Sequence, residues 1–420
     1  MHEIKKSEIK SPRKKHYDRR MHLRVDQRMS KRVMTQLVVA MVAVWGAITA
    51  TAAPIIIPAA PQIGAESYLL IDAATGDVLA SENARMRLPP ASLTKIMTSY
   101  IIANEIEQGR ITLDDRVPIS VKAWRMEGSR MFIREGTEVS VSDLLRGIVI
   151  QSGNDASVAM AEYIAGDEEA FAGLMTQTAK SLGMNNTSFM NSTGLPDEMH
   201  YTTAEDLATL THALINRFPE HYAIYSEKYF SYNDIRQANR NALLWRDDSV
   251  DGVKTGHTQA AGYCLVASAM ENDTRLISVV MGARDERTRA AESQKLLNYG
   301  FRYYETVNLY AAGSSLKRVR VWSGLHESLE VGLDDAITLT IPRGGRDQLK
   351  AEINLQDVIE APIERGQTLG ALSLSLGDEM LVERPVVALN PVQAAGWLSS
   401  TLDDVQLMFI DLTGGDALTP

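Results

Sequence analysis

Strand-like runs in this chain lie at both ends of a long helical middle, and that order restricts it to a mixed architecture. Ser67-Tyr68-Leu69-Leu70-Ile71-Asp72 reads as a strand, Ala74-Thr75-Gly76-Asp77 as a turn and Val78-Leu79-Ala80 as the returning strand. From Ser92 to about Glu107 the apolar residues Leu93, Ile96, Met97, Tyr100 and Ile101 recur at helical spacing, after prolines that stop extended structure. Further helical stretches come within residues 141–215, including Ser142–Ile150 and Ala156–Ile164. After Asp247 the pattern returns to short, turn-linked strands at Gly252–Thr255, Gly262–Ala269 and Arg275–Gly282, expected to be antiparallel neighbours, and residues 287–304 are helical again. This order implies an α+β domain over residues 63–304. Alternating runs such as Ala336–Ile341 and Leu372–Leu376, split by Gly-rich turns, imply a small all-β domain over residues 307–390.

Charge is distributed unevenly. The formal net charge is −10, yet residues 1–32 hold 12 Lys or Arg against 4 Asp or Glu, leaving −18 for residues 33–420. So acidic a body is a poor partner for nucleic acid, whose phosphates need clustered cations. The basic start is better explained by the segment beside it. Val33 to Ala60 is free of charge, has an apolar centre at Leu37–Trp45, and carries the small-residue pattern Ala50-Thr51-Ala52. Basic flank, apolar run and small-residue exit describe a secretory signal over residues 1–52, with an uncleaved anchor as the alternative. The basic flank is longer than a signal needs, so Met21 or Met29 is the expected start. Near the other end, Leu398, Leu402, Val405, Phe409 and Leu412 form an apolar stripe within residues 391–420. The stripe suits either a membrane-interface helix or a docking helix, and its polar side is acidic rather than basic. The single cysteine, Cys264, excludes an intramolecular disulfide and reads as a buried small hydrophobe.

Three short motifs carry chemistry. Ser92-Leu93-Thr94-Lys95 puts a hydroxyl and an amine on one helix face. A serine needs a base to become a nucleophile, and a lysine of lowered pKa can be that base. The spacing alone is weak, because Ser7–Lys10, Ser11–Lys14 and Ser314–Lys317 share it and Ser92 could simply cap its helix. Ser152-Gly153-Asn154 sits between helical stretches, where a hydroxyl and an amide can pass a proton and hold a substrate amide, or merely make a turn. Lys254-Thr255-Gly256-His257 lies on a strand. Its cation and hydroxyl suit a carboxylate, Gly256 lets a ligand near the backbone, and the His257 amide can donate to an oxyanion. Lys254 is also expected to help keep Lys95 neutral by cationic repulsion. Lys-Thr-Gly occurs once in the chain, and the three motifs come in order with 60 and 102 residues between their first members.

Together they resemble the set used by penicillin-recognising serine enzymes. Pro90–Lys95, Gln151–Asp155 and Asp251–Thr258 resemble the low-molecular-mass penicillin-binding proteins, most closely the D-alanyl-D-alanine carboxypeptidases of the penicillin-binding protein 5 type, over nearly the whole mature chain. The resemblance implies a penicillin-binding transpeptidase/β-lactamase-like fold, an antiparallel sheet with helices, followed by the β domain. It implies Ser92 as acyl-enzyme nucleophile, Lys95 as proton acceptor and Ser152 as proton relay. Asn154 would hold the substrate amide, Lys254 and Thr255 the terminal carboxylate, and the amides of Ser92 and His257 the oxyanion. Arg284 lies near where the family has a second substrate cation. The implied substrate is the peptidoglycan pentapeptide, with β-lactams as covalent inhibitors, and no cofactor or metal is required. A β-lactamase would need a Glu-x-x-x-Asn segment between Asn154 and Lys254, and there is none. A D,D-endopeptidase uses the same residues, but the β domain favours the carboxypeptidase. A non-enzymatic muropeptide sensor would have a damaged motif, and all three are intact. A zinc peptidase is disfavoured by the lack of a His-Glu-x-x-His motif.

Overall fold

The computed structural model describes residues 55–396 and 417–419. The expected signal and the expected C-terminal stripe lie outside the described residues. Among the described residues no helix is long and apolar enough to cross a membrane.

The strands expected at the two ends form one sheet. They are β1 (Ser67–Asp72), β2 (Val78–Glu82), β3 (Val250–Thr258), β4 (Gly262–Glu271) and β5 (Thr274–Ala283), in the order β2-β1-β5-β4-β3. All neighbours are antiparallel, and β1 meets β5 with Ser67 opposite Met281 and Asp72 opposite Leu276. The sheet is covered on both faces, which is why every residue of β1 is buried. Leu69 and Ile71 join the larger core with the helices, while Tyr68 and Leu70 join a second core with Leu296, Leu297 and Phe301. Those three belong to a helix, Glu286–Tyr303, that backs the sheet.

The helical middle forms the other half. Its central helix, α1 (Lys95–Glu107), is buried on nearly every side, from Lys95 through Ala103. A helix apolar all round belongs inside, and it carries its first residue, a lysine, in with it. Next come α2 (Val141–Arg146), α3 (Asn154–Ala165), α4 (Glu168–Ser181) and α5 (Ala204–Arg217). The stretch expected as one helix to Ile150 changes at Gly147 into a π-helical turn, Gly147–Gln151. Such turns widen a helix locally and recur at functional sites.

From Tyr304 to Ala388 the regular structure is strand apart from one 3-10 turn, Arg346–Gln348. Ser315–Arg320, Ser328–Gly332, Leu349–Leu355, Thr368–Leu376 and Glu379–Ala388 form a five-stranded antiparallel sheet around its own core of Val319, Val331, Leu372 and Val386. Tyr304–Tyr310 and Ile337–Pro342 pair separately. This unit is tied to the first sheet by the Thr306 hydroxyl, which donates to buried Asp72 at 2.5 Å, and by Thr75 against Thr340. The architecture is the expected one, helices with an antiparallel sheet followed by an all-β unit. At the far end, Leu418 packs on the β core and the Trp322 indole N–H donates to the Ala417 carbonyl at 2.9 Å.

Candidate active site

Ser92 lies in a single 3-10 turn, Ala91–Thr94, that leads into α1. Its hydroxyl makes no capping bond, so the simple cap reading does not hold. It lies instead 3.1 Å from Nζ of Lys95. Lys95 is 1% exposed, and its nitrogen also meets Oδ1 of Asn154 and the carbonyl of Thr193, each at 2.7 Å. A neutral amine has two N–H groups and one lone pair. With both N–H groups accepted by Asn154 and Thr193, the lone pair is left for the Ser92 O–H. Burial first, and then the Arg240 cation, push Lys95 down to about 7, against the opposing pull of Asp155 and Glu168.

Asn154 is the first residue of α3 and is 6% exposed. Its Nδ2 donates to the Glu127 carbonyl at 2.7 Å, which orients Oδ1 toward Lys95. Its backbone N–H donates to Ser129, and the Asp155 carboxylate accepts from the amides of Met131, Phe132 and Ile133. The loop over the site is thus tied down by the residues just after Ser152. Ser152 ends the π-helical turn in the left-handed region, with φ 66°, and its buried hydroxyl has no hydrogen-bond partner within the protein.

Lys254, 2% exposed, lies on β3, the edge strand of the sheet. Its Nζ donates to the Thr255 carbonyl at 3.0 Å and has no acidic partner among the described ion pairs. Burial, then the cations Lys95, Arg240 and Arg289, hold it well below the usual lysine range. Thr255 is buried beside it, whereas His257 is exposed at the rim, stacked on Tyr263 with ring centroids 3.8 Å apart. Gly256 also serves an approach within the protein itself. A Cβ there would sit 2.9 Å from the Pro90 carbonyl and 3.3 Å from Ala91, so the glycine lets β3 press against the turn that carries Ser92.

Arg284 is not drawn into this group. It is exposed, and its Nε bonds Asp285 and Thr288 at the start of the Glu286–Tyr303 helix. Arg289, five residues later, is 5% exposed and donates to the Gly256 carbonyl at 3.2 Å. It shares a buried helix face with Ala290, Ser293, Leu296 and Leu297, so a cation on an apolar stripe is the sequence signal that marks it. Arg240 donates to the Gln151 carbonyl at 3.2 Å and is the cation that depresses Lys95, whereas the repulsion between the two lysines falls on Lys254. No motif announces Arg240, which reaches the site from a segment remote in sequence. Thr193 carries no signal either, because it contributes only a carbonyl. Next to it Gly194, with φ 84°, packs so closely that a Cβ would lie 1.8 Å from the Ala91 oxygen.

Residues 55–285 match the D-alanyl-D-alanine carboxypeptidase family, and residues 304–394 match the C-terminal domain of penicillin-binding protein 5. The chain is 45% identical over 361 residues to the D-alanyl-D-alanine carboxypeptidase DacA of Escherichia coli, covering 84% of this chain and 90% of that one. It is 44% identical over 358 residues to DacC of the same organism, covering 83% and 90%. Penicillin-binding protein 5 from Haemophilus influenzae superposes with a TM-score of 0.75 at 41% identity, over 80% of this chain and 99% of that one.

Proposed function

The chain belongs to the D-alanyl-D-alanine carboxypeptidase family, and on that premise we propose that Ser92 is the residue acylated and Lys95 the base that takes its proton. The protein is a serine hydrolase that removes the terminal D-alanine from peptidoglycan pentapeptides and binds penicillin. The observation that carries the assignment of roles is the Lys95 amine, held near neutrality, with both N–H groups accepted and its third direction facing Ser92 Oγ at 3.1 Å.

Ser92 Oγ attacks the carbonyl between the two terminal D-alanines while its proton passes to Lys95 Nζ. The oxyanion is held by the amides of Ser92 and His257, donors typically worth about 3 kcal/mol each. Collapse breaks the C–N bond. The leaving amine takes the proton from Lys95 through the Ser152 hydroxyl, and D-alanine departs. Water then attacks the ester as Lys95 accepts its proton; the C–Oγ bond breaks, Ser92 Oγ takes that proton back from Lys95, and the shortened peptide leaves as its acid. Asn154 holds the donor amide. The terminal carboxylate meets Lys254 and Thr255 with Arg289 behind them, and supplies the counter-charge that keeps Lys254 protonated. Arg284, exposed and engaged with Asp285, stands outside this group.

Ser92→Ala should abolish both D-alanine release and covalent labelling by penicillin while leaving the thermal transition in place. Labelling that persists in this variant defeats the assignment. Mass spectrometry of peptidoglycan fragments separates the two peptidase readings. Loss of one alanine from pentapeptides marks the carboxypeptidase, and cleavage of crosslinked dimers marks an endopeptidase. The charge-free segment after the basic start supports work outside the cytoplasmic membrane, in the periplasm, with membrane attachment through either end.

A further inference from the structure

The direction of the Lys95 lone pair depends on two acceptors, and one of them is a main-chain carbonyl on a loop. Asn154 is fixed by α3 and by Glu127. The Thr193 carbonyl has to be fixed by whatever holds residues 191–195. Three devices do so. The Asn191 side-chain oxygen accepts from the amides of Thr193, Gly194 and Leu195. The Ser192 carbonyl accepts from Thr98 Oγ1 at 2.7 Å, one turn along α1 from Lys95. The third device reaches in from α4: Oε1 of Glu168 accepts from the Ser192 amide at 3.2 Å and from its hydroxyl at 2.9 Å.

Glu168 is the first residue of α4, and its side chain is 12% exposed. Its second oxygen pairs with Lys122 at 2.9 Å. A carboxylate in so enclosed a place exerts a field that solvent screens weakly. The groups facing Lys95 are the cations Arg240 and Lys254, the acid Asp155, the neutral His200, and Glu168 itself. Asp155 uses both oxygens on backbone amides of the 131–133 loop. Glu168 is therefore the acid that both touches the Lys95 acceptor loop and carries charge toward the amine.

We propose that Glu168 is a positioning residue of the reaction: through Ser192 it sets the Thr193 carbonyl that receives Lys95, and its charge stabilises the protonated amine formed as Ser92 is acylated. The base is thereby set by burial and by opposed charges, Arg240 against Asp155 and Glu168, with Lys122 moderating the last. This rests on the reading of Lys95 as base.

Three variants test it, each measured as the pH profile of acylation by a fluorescent penicillin and of D-alanine release from a pentapeptide. Glu168→Gln keeps an acceptor for Ser192 and removes the charge. Its plateau rate should stay within about twofold of wild type while the acid limb moves to lower pH, raising the rate at pH 6 on the order of threefold. Lys122→Met strengthens the negative field and should move the limb the opposite way. Glu168→Ala loses the bond as well, and its plateau kcat should fall roughly tenfold with little change in KM. An acid limb unmoved in both Glu168→Gln and Lys122→Met overturns the proposal, whatever happens to the plateau, since a merely structural carboxylate lowers the rate without shifting the limb. If the wild type itself lacks an acid limb near neutrality, the assignment of Lys95 has failed instead.

Discussion

Replacing Gly194 by alanine perturbs the site without touching any group that reacts. The new Cβ would lie 1.8 Å from the Ala91 oxygen and 2.9 Å from Thr94 Oγ1. Contacts under about 3.0 Å do not persist, so the Ala91 carbonyl or the loop has to yield by roughly 1 Å. Ala91 precedes Ser92, already at a positive φ of 48°, and Thr193 precedes Gly194 with the carbonyl that receives Lys95. The displacement therefore falls between nucleophile and base. A misplacement of about 1 Å in such a pair can cost about 100-fold in rate. The left-handed conformation at φ 84° adds about 1 kcal/mol to the cost for any residue with a Cβ. A control separates the two effects. Gly76 has nearly the same φ, 78°, and nothing within 4 Å of its Cβ position. Gly76→Ala should lose the same 1 kcal/mol or so in denaturant melts and acylate at the wild-type rate. Gly194→Ala should lose more stability and acylate about 100-fold more slowly, measured by stopped flow with a fluorescent penicillin. A folded Gly194→Ala protein that acylates within threefold of wild type would refute the claim that this loop and the Ser92 turn are locked in register.

Two further expectations concern protons. Acylation needs neutral Lys95, so its rate should rise through an acid limb at about pH 7. Arg240 depresses that value, so Arg240→Met should move the limb upward, slowing acylation at pH 6 on the order of threefold with recovery by pH 9. His200, 3% exposed and 2.8 Å from Thr94 Oγ1, is pushed down by burial from 6.5 to about 4. Its folded pKa is the lower one. Between pH 6.5 and 4 the unfolded chain therefore binds a proton that the folded chain refuses, and stability is lost as pH falls, by roughly 3 kcal/mol. Urea melts at pH 7 and pH 4.5 should show a loss in wild type that His200→Gln reduces by about that amount, the remainder including His221, which burial likewise pushes down to about 4. Equal losses in both would argue against the buried neutral imidazole.

Much of this protein is determined locally and is legible in sequence. Short apolar runs bounded by turn residues specify β1 to β5, because a strand buried on both faces reads as a nearly continuous apolar run whatever its partner. The three motifs are legible for a similar reason: each places its groups on one short element, Ser92 and Lys95 across a helical turn, Lys254 and Thr255 on a strand. Cys264 also reads correctly from its neighbours, as a fully buried thiol pushed up to about 11. How those groups behave is set only when the chain has folded. Lys95 is a base because α1 is buried on nearly every side and Arg240 arrives from a distant segment, and burial and distant charge are not properties of a spacing. Gly256 serves a contact between β3 and the Ser92 turn that exists only when the sheet meets the helices. Arg289, rather than the more obvious Arg284, lies against the Lys-Thr-Gly strand because it sits on the buried face of the Glu286–Tyr303 helix, whereas Arg284 precedes that helix in the exposed link from β5. Thr193 contributes a carbonyl that any residue could offer, so the chain's letters could not mark it, and only the fold brings that oxygen to the amine.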